Sequence, residues 1–84
     1  IDLLAFGKLP QGPLFPLLLI ECKAVTLGRR VMRQVAGYNE YIGALFIAIA
    51  NGQEVLTGHY DAAIGDYAFI SGLPSYSTLL SKIQ

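Results

Sequence analysis

The sequence predicts an α/β domain in which one helix crosses between strands of a mixed sheet. Three observations predict it. Leu17-Leu18-Leu19-Ile20 is an uninterrupted apolar run of strand length, the pattern of a strand covered on both faces. From Thr26 to Ile42 the spacing becomes helical, with Leu27, Val31, Val35, Tyr38 and Ile42 on one stripe. A second short apolar run, Ala44 to Ala50, then stops at Asn51-Gly52, a pair that signals a hairpin turn.

In chain order, Ile1 to Phe6 reads as a first strand and Gly7, Pro10, Gly12 and Pro13 as the turn after it. Leu14 to Ala24 is the second strand. Thr26 is the expected N-cap of the helix, and Gly43 its C-terminal stop. Gln53 to Tyr60 is expected to pair back on Ala44 to Ala50. The remainder, Asp61 to Gln84, carries Gly65, Gly72 and Pro74 and reads as a tail ending in a weak helix, Ser77 to Ile83. With no internal repeat and no low-complexity linker, residues 1–84 form a single domain.

A chain of 84 residues buries only about 60–65 % of its unfolded surface and needs a dense core. Hydrophobic residues make up 54 % of it and mean hydropathy is +0.50, which excludes intrinsic disorder. The longest apolar run is broken by Pro16 and stopped by Glu21, far short of the roughly 20 residues of a membrane span, so no membrane role is expected. Cys22 is the sole cysteine and has no internal disulfide partner, so a reducing cytoplasm is the simplest compartment. Net charge is zero, so any DNA contact has to come from a local patch or from partner chain. The sequence opens at Ile1 directly in an alternating apolar strand. We therefore expect a fragment of a longer chain, or one that associates with another copy to cover its apolar face and strand edge.

The residues that carry chemistry sit on the second strand. Glu21 and Lys23 are two apart, so pleating sends both side chains to one face while Cys22 points to the other. Charges that end an otherwise apolar strand are costly to bury. Asp2 lies on the strand expected to pair with this one, which would bring it beside Glu21. Two carboxylates about 4 Å apart repel by roughly 4 kcal/mol at an effective dielectric near 20. A divalent cation relieves that repulsion, and hard oxygen ligands suit Mg²⁺. The alternatives are plain ones: Glu21 and Lys23 as a surface ion pair, and Asp2 as a frayed terminal residue.

Asp2 followed by Glu21-Cys22-Lys23 at the end of an apolar strand resembles the D…ExK signature of PD-(D/E)xK nucleases. The stretch from Pro16 to Ala24 is similar to the corresponding strand of type I restriction enzyme R subunits. Gln34-Val35-Ala36-Gly37-Tyr38-Asn39 matches the QxxxY motif of that nuclease branch, and the next strand closes with Ala50-Asn51-Gly52. The tail, with Tyr67-Ala68-Phe69-Ile70 and Leu73-Pro74-Ser75-Tyr76, resembles the end of short relatives.

The resemblance implies a restriction-endonuclease-like mixed sheet whose opening helix and first strand do not occur in this sequence. It implies an Mg²⁺-dependent endonuclease, with Mn²⁺ as a substitute, that hydrolyses DNA phosphodiesters within a restriction system. Asp2 and Glu21 would be metal ligands together with the backbone carbonyl of Cys22, and Lys23 would steady the attacking water and the phosphate. Gln34 and Tyr38 would brace the site and reach toward DNA. Among Arg29, Arg30 and Arg33, Arg30 is the best DNA-contact candidate, one turn before Gln34, although such a cluster also reads as a solvated face. Implied partners are DNA and other restriction-system subunits or a helicase domain. No Gly-rich phosphate loop occurs, so ATP-driven translocation does not reside in this chain. The alternative function is a non-catalytic module of the same fold that binds DNA or a partner protein. Tyr38 also reads as part of the core stripe, Cys22 reads as core packing, and His59, without a Cys or His at ligand spacing, reads as structural or exposed.

Overall fold

The computed structural model describes residues 2–83. Strands β1 (Leu3–Lys8) and β2 (Leu14–Cys22) are followed by helix α1 (Arg29–Ile42), strands β3 (Phe46–Ala50), β4 (Val55–Asp61) and β5 (Asp66–Ser71), and helix α2 (Tyr76–Ser81). The five strands form one sheet in chain order. β2 and β3 run parallel, and every other neighbouring pair is antiparallel. A parallel pair cannot be joined by a hairpin, so the chain between them leaves the sheet and returns as α1. The predicted α/β architecture with a mixed sheet and crossover helix is what the chain forms.

The central strands are apolar because both faces are covered. Along β3, Ile47 and Ile49 point to the layer that holds Leu19, Leu27, Val35 of α1 and Ala44. Phe46 and Ala48 point the other way, to Leu17, Leu18 and Leu79 of α2. Leu17, Leu19, Val35, Ile47 and Ile49 are withdrawn almost completely from water. Each such side chain contributes roughly 1.5–3 kcal/mol of transfer free energy.

The return of α1 into β3 turns on Asn39, which is buried. Its Nδ2 donates to the Ala44 carbonyl at 2.7 Å and to the Tyr67 hydroxyl at 3.0 Å, while its Oδ1 accepts the Ala44 N–H at 2.8 Å. The Gly43 N–H closes the helix on the Asn39 carbonyl at 2.7 Å. Both ends of the amide are thus satisfied inside the core, as a buried polar group requires.

Several expectations change. The helix begins at Arg29 with Gly28 as its N-cap, not Thr26; Gly28 lacks a side chain to cap the first turn, and its N–H bonds the Thr26 carbonyl instead. Tyr38 does not belong to the core stripe. The buried face of α1 runs through Val35 to Asn39, and Tyr38 is 48 % exposed. The hairpin expected at Asn51-Gly52 forms, with β4 antiparallel to β3, but not through a tight primed turn, because positive φ occurs at Gly43, Gly65 and Gly72 and not at Gly52. The loop runs from Asn51 to Glu54, with the Asn51 carboxamide accepting the N–H groups of Gln53 and Glu54, both at 2.9 Å.

The tail is no irregular segment either. Asp66–Ser71 pairs with β4 as the fifth strand, and the terminal helix covers Tyr76–Ser81. Its hairpin closes on Asp61, whose carbonyl accepts from Ile64 and Gly65 and whose Oδ1 accepts from Ala63; Gly65 takes the left-handed φ of 67° that ends the turn. The strand boundaries otherwise shift by at most two residues, and Ile1 and Gln84 lie outside the described residues.

β5 docks through Phe69, whose ring lies across Gly58 of β4. A Cβ at Gly58 would stand 2.7 Å from Phe69 Cδ1 and 2.9 Å from the Ala68 carbonyl oxygen, so the close approach needs glycine. Gly58→Ala is expected to destabilise the chain by about 1–3 kcal/mol through overpacking. Asn39→Ala, which deprives the Ala44 N–H and carbonyl and the Tyr67 hydroxyl of their partner, should cost about 2 kcal/mol. For a domain of this size each kcal/mol lowers Tm by roughly 4–8 °C, readable by thermal melts followed by circular dichroism.

Candidate active site at the end of β2

Glu21 is the penultimate residue of β2, in register with Ile49 of β3. Strand alternation puts its side chain on the face of Leu19, the side covered by α1. It is only 9 % exposed. Lys23 lies just beyond the strand, yet its N–H still bonds the Ala50 carbonyl at 2.8 Å and extends the ladder by one step. Its side chain therefore returns to the Glu21 face, and Nζ stands 3.2 Å from Glu21 Oε2. The pair is an ion pair, as one sequence reading had it, but its acid is withdrawn from solvent.

Asp2 comes from the neighbouring edge. Its N–H bonds the Ile20 carbonyl at 3.1 Å, holding it against β2. Its Oδ2 accepts the Cys22 N–H at 2.6 Å. The carboxylate thus accepts a backbone amide of the last residue of β2, just before β1 begins. An ionised acceptor makes this a charge-assisted bond. Asp2, Glu21, Cys22 and Lys23 thus meet at one strand end, although Asp2 is far from the others in sequence.

The Cys22 side chain is not core packing. It is exposed and its thiol is free, because the strand end projects past the layer capped by α2 on that face. Gln34 and Tyr38 stand one turn apart on α1 and are both exposed, with Arg30 one turn before Gln34 and Arg29 and Arg33 exposed beside it. His59 is exposed, its ring edge-on to Phe46 with 6.1 Å between centroids. Among the described residues, no group of three or more His, Cys, Asp or Glu side chains gathers in a form that could hold a metal ion.

Two asparagines hold the surrounding frame in ways that sequence reasoning did not assign to them. Asn51 sends Nδ2 to the Val25 carbonyl at 3.0 Å, strapping the loop after Lys23 to the loop after β3. Its signal was present, since Asn before Gly commonly folds its carboxamide onto the next amides. Asn39 fixes the far end of α1. A polar residue at an inward helical position one turn before the helix stop was the available signal.

An acid and a lysine two apart at the end of a central strand, met by a second acid from the adjacent strand, define an α/β domain with a polar, charge-bearing strand end. Residues 1–74 match the family described as Type I restriction enzyme R protein N terminus (HSDR_N), and the chain belongs to that family. No curated protein and no solved structure matches it. No helix among the described residues is long and apolar enough to cross a membrane.

The Asp2 contact has a direct readout. In hydrogen exchange followed by NMR, the Cys22 amide should be protected in the parent chain and exchange at least about tenfold faster in Asp2→Ala, the effect of losing roughly 1.4 kcal/mol of local protection. Equal rates would show that water serves the amide as well as Asp2 does.

Proposed function

We propose that the chain is a nuclease domain of restriction-endonuclease-like fold that hydrolyses DNA phosphodiester bonds with Mg²⁺ or Mn²⁺. The observation that carries this is the meeting of Asp2, Glu21 and Lys23 at one end of β2 in a member of a restriction-subunit family. The residues offer oxygen donors of the hard kind that Mg²⁺ takes, the carboxylates of Asp2 and Glu21 and the Cys22 carbonyl. Bound there, the ion would supply Lewis-acid polarisation of a phosphate oxygen and a lowered pKa for water.

The chain's own residues supply the rest. Asp2 is held to β2 through its own N–H and through Oδ2, which positions its carboxylate at the strand end before any substrate arrives. The Lys23 ammonium remains partly open to solvent while paired with Glu21, and it can turn from that pair toward a phosphate oxygen or the attacking water. Gln34 and Tyr38, exposed on the helix that covers this sheet face, brace the substrate side.

The second reading, a module that binds DNA or a protein without cutting, draws on the contacts these groups already make. Lys23 on Glu21 and Asp2 on the Cys22 amide can be purely architectural. Two measurements separate the readings. Lys23→Ala should lower Mg²⁺-dependent cleavage of plasmid DNA by about 10²-fold or more, with an unchanged circular dichroism spectrum. Calorimetric Mn²⁺ uptake should disappear in Glu21→Ala. Cleavage that survives Lys23→Ala removes the lysine from the mechanism, and uptake that survives Glu21→Ala removes the metal site.

A further inference from the structure

Three of the six Lys and Arg residues of this neutral chain fall within five positions, Arg29, Arg30 and Arg33. All three are exposed at the start of α1. Among the described residues, the ion pair that forms is Lys23 with Glu21, so none of these guanidiniums has a carboxylate at salt-bridge distance. Asp66 lines the groove beside Arg29 and Arg33, but its Oδ1 accepts the Tyr67 N–H at 2.8 Å.

The placement runs against the helix that carries it. A helix N-terminus is the positive pole, where Asp and Glu stabilise and cations do not. The first turn of α1 has no acidic residue and Gly28 gives it no side-chain cap. Arg29 and Arg33 are also one turn apart, a like-charge spacing that costs stability. Three separate local preferences are violated at one spot, the kind of inconsistency that a folded chain keeps for function. A bound anion offsets all three.

Arg29, Arg30, Arg33 and Gln34 line a single open concavity of about 540 Å³. Its lining offers planar bidentate donors and an amide but no aromatic or aliphatic residue to anchor a peptide, which favours a phosphate backbone over a protein partner. Only residues 24–28 separate it from Lys23, so the two lie within about 20 Å along an extended chain. That is roughly six steps of a DNA strand at 3.4 Å each.

We propose that Arg29, Arg30 and Arg33, with Gln34, form a seat for the backbone phosphates that flank the cleaved one, holding DNA without any metal ion. The proposal rests on the DNA-cleaving reading and extends it along α1, from Gln34 on the substrate side to the three arginines before it. Binding then comes from a local cluster, and its salt dependence counts the arginines engaged.

The test is fluorescence anisotropy of a dye-labelled 20-base-pair duplex in EDTA over a salt series, a probe length of roughly two helical turns. Each phosphate neutralised contributes about −0.9 to the slope of log K against log salt. The triple variant Arg29→Gln, Arg30→Gln, Arg33→Gln should flatten the slope by about 2–3, and each single variant by about 1, while Lys23→Ala changes it by at most about 1. The single variants keep the test decisive if the triple variant fails to fold. Slopes unchanged in the arginine variants overturn the seat, as does an absence of duplex binding. Arginine-dependent binding by a chain that does not cleave with Mg²⁺ supports the seat and overturns the cleavage reading. Cleavage with an arginine-independent slope does the reverse.

Discussion

The parallel pairing of β2 with β3 is the constraint on which the rest of this structure depends. It obliges the chain to leave the sheet after Lys23, cross one face and re-enter at Phe46 in the same direction. α1 is the crossing element, and its apolar side, centred on Val35, covers Leu19, Ile47 and Ile49. A crossover must also end where the next strand starts, and here that end is specified by hydrogen bonds more than by packing. Asn39 reads the backbone of Ala44 from both sides and reaches Tyr67 of β5 with its remaining proton. One buried carboxamide thus fixes the helix, the parallel strand and the far edge strand relative to one another.

The same pairing creates the polar strand end. Because β2 and β3 are parallel, their C-terminal ends lie side by side, and the two loops that leave them are adjacent and tied together through Asn51. Open α/β sheets place ligands at such ends, where strand backbones stop and helix N-termini begin. Glu21 and Lys23 occupy this position at a cost. Replacing a desolvated ion pair by apolar residues of similar volume is commonly neutral or stabilising, so packing alone does not favour it. Among the described residues the other buried polar side chains, Asn39 and Thr57, are uncharged and hydrogen-bonded, which makes the two charges a local departure from an otherwise consistent pattern.

The elements legible in the sequence are those whose pattern has one physical cause. β2, α1 and β3 announce themselves because burial on both faces yields an apolar run and burial on one helical face yields a 3.6-residue period. The pairing of Glu21 and Lys23 on one face was legible for the same reason, since pleat alternation is local. β5 was hidden by glycines that read as loop. Tyr67 and Phe69 pack on the layer of α1, but Gly65 and Gly72 at its ends mark turns, and nothing local shows that the segment between them belongs to the sheet. Cys22 was misjudged because alternation gives the direction of a side chain, not whether anything covers it. Asn39 was overlooked because a polar residue on an inward face looks like a break in the stripe until its three partners are known.

Net charge was the least informative of the sequence-level quantities. A total of zero argues against a uniformly basic nucleic-acid scaffold, yet charges separated by more than about 8 Å are largely screened from one another at physiological salt. What a polyanion meets is therefore the local field. Lys8 lies on β1 and Lys82 beyond α2, whereas Arg29, Arg30 and Arg33 share one helical turn and a little more. The acids that balance the sum are dispersed over Asp2, Glu21, Glu40, Glu54, Asp61 and Asp66. Of these, Asp2 and Glu21 are engaged at the strand end and Asp61 and Asp66 hold the β4–β5 hairpin. A hydrogen-bonded carboxylate keeps its charge, and Asp66 is the acid that lines a groove with Arg29 and Arg33, where three arginines outnumber it. A neutral chain can therefore present a concentrated positive surface beside the strand end, with the helix N-terminus adding to the field.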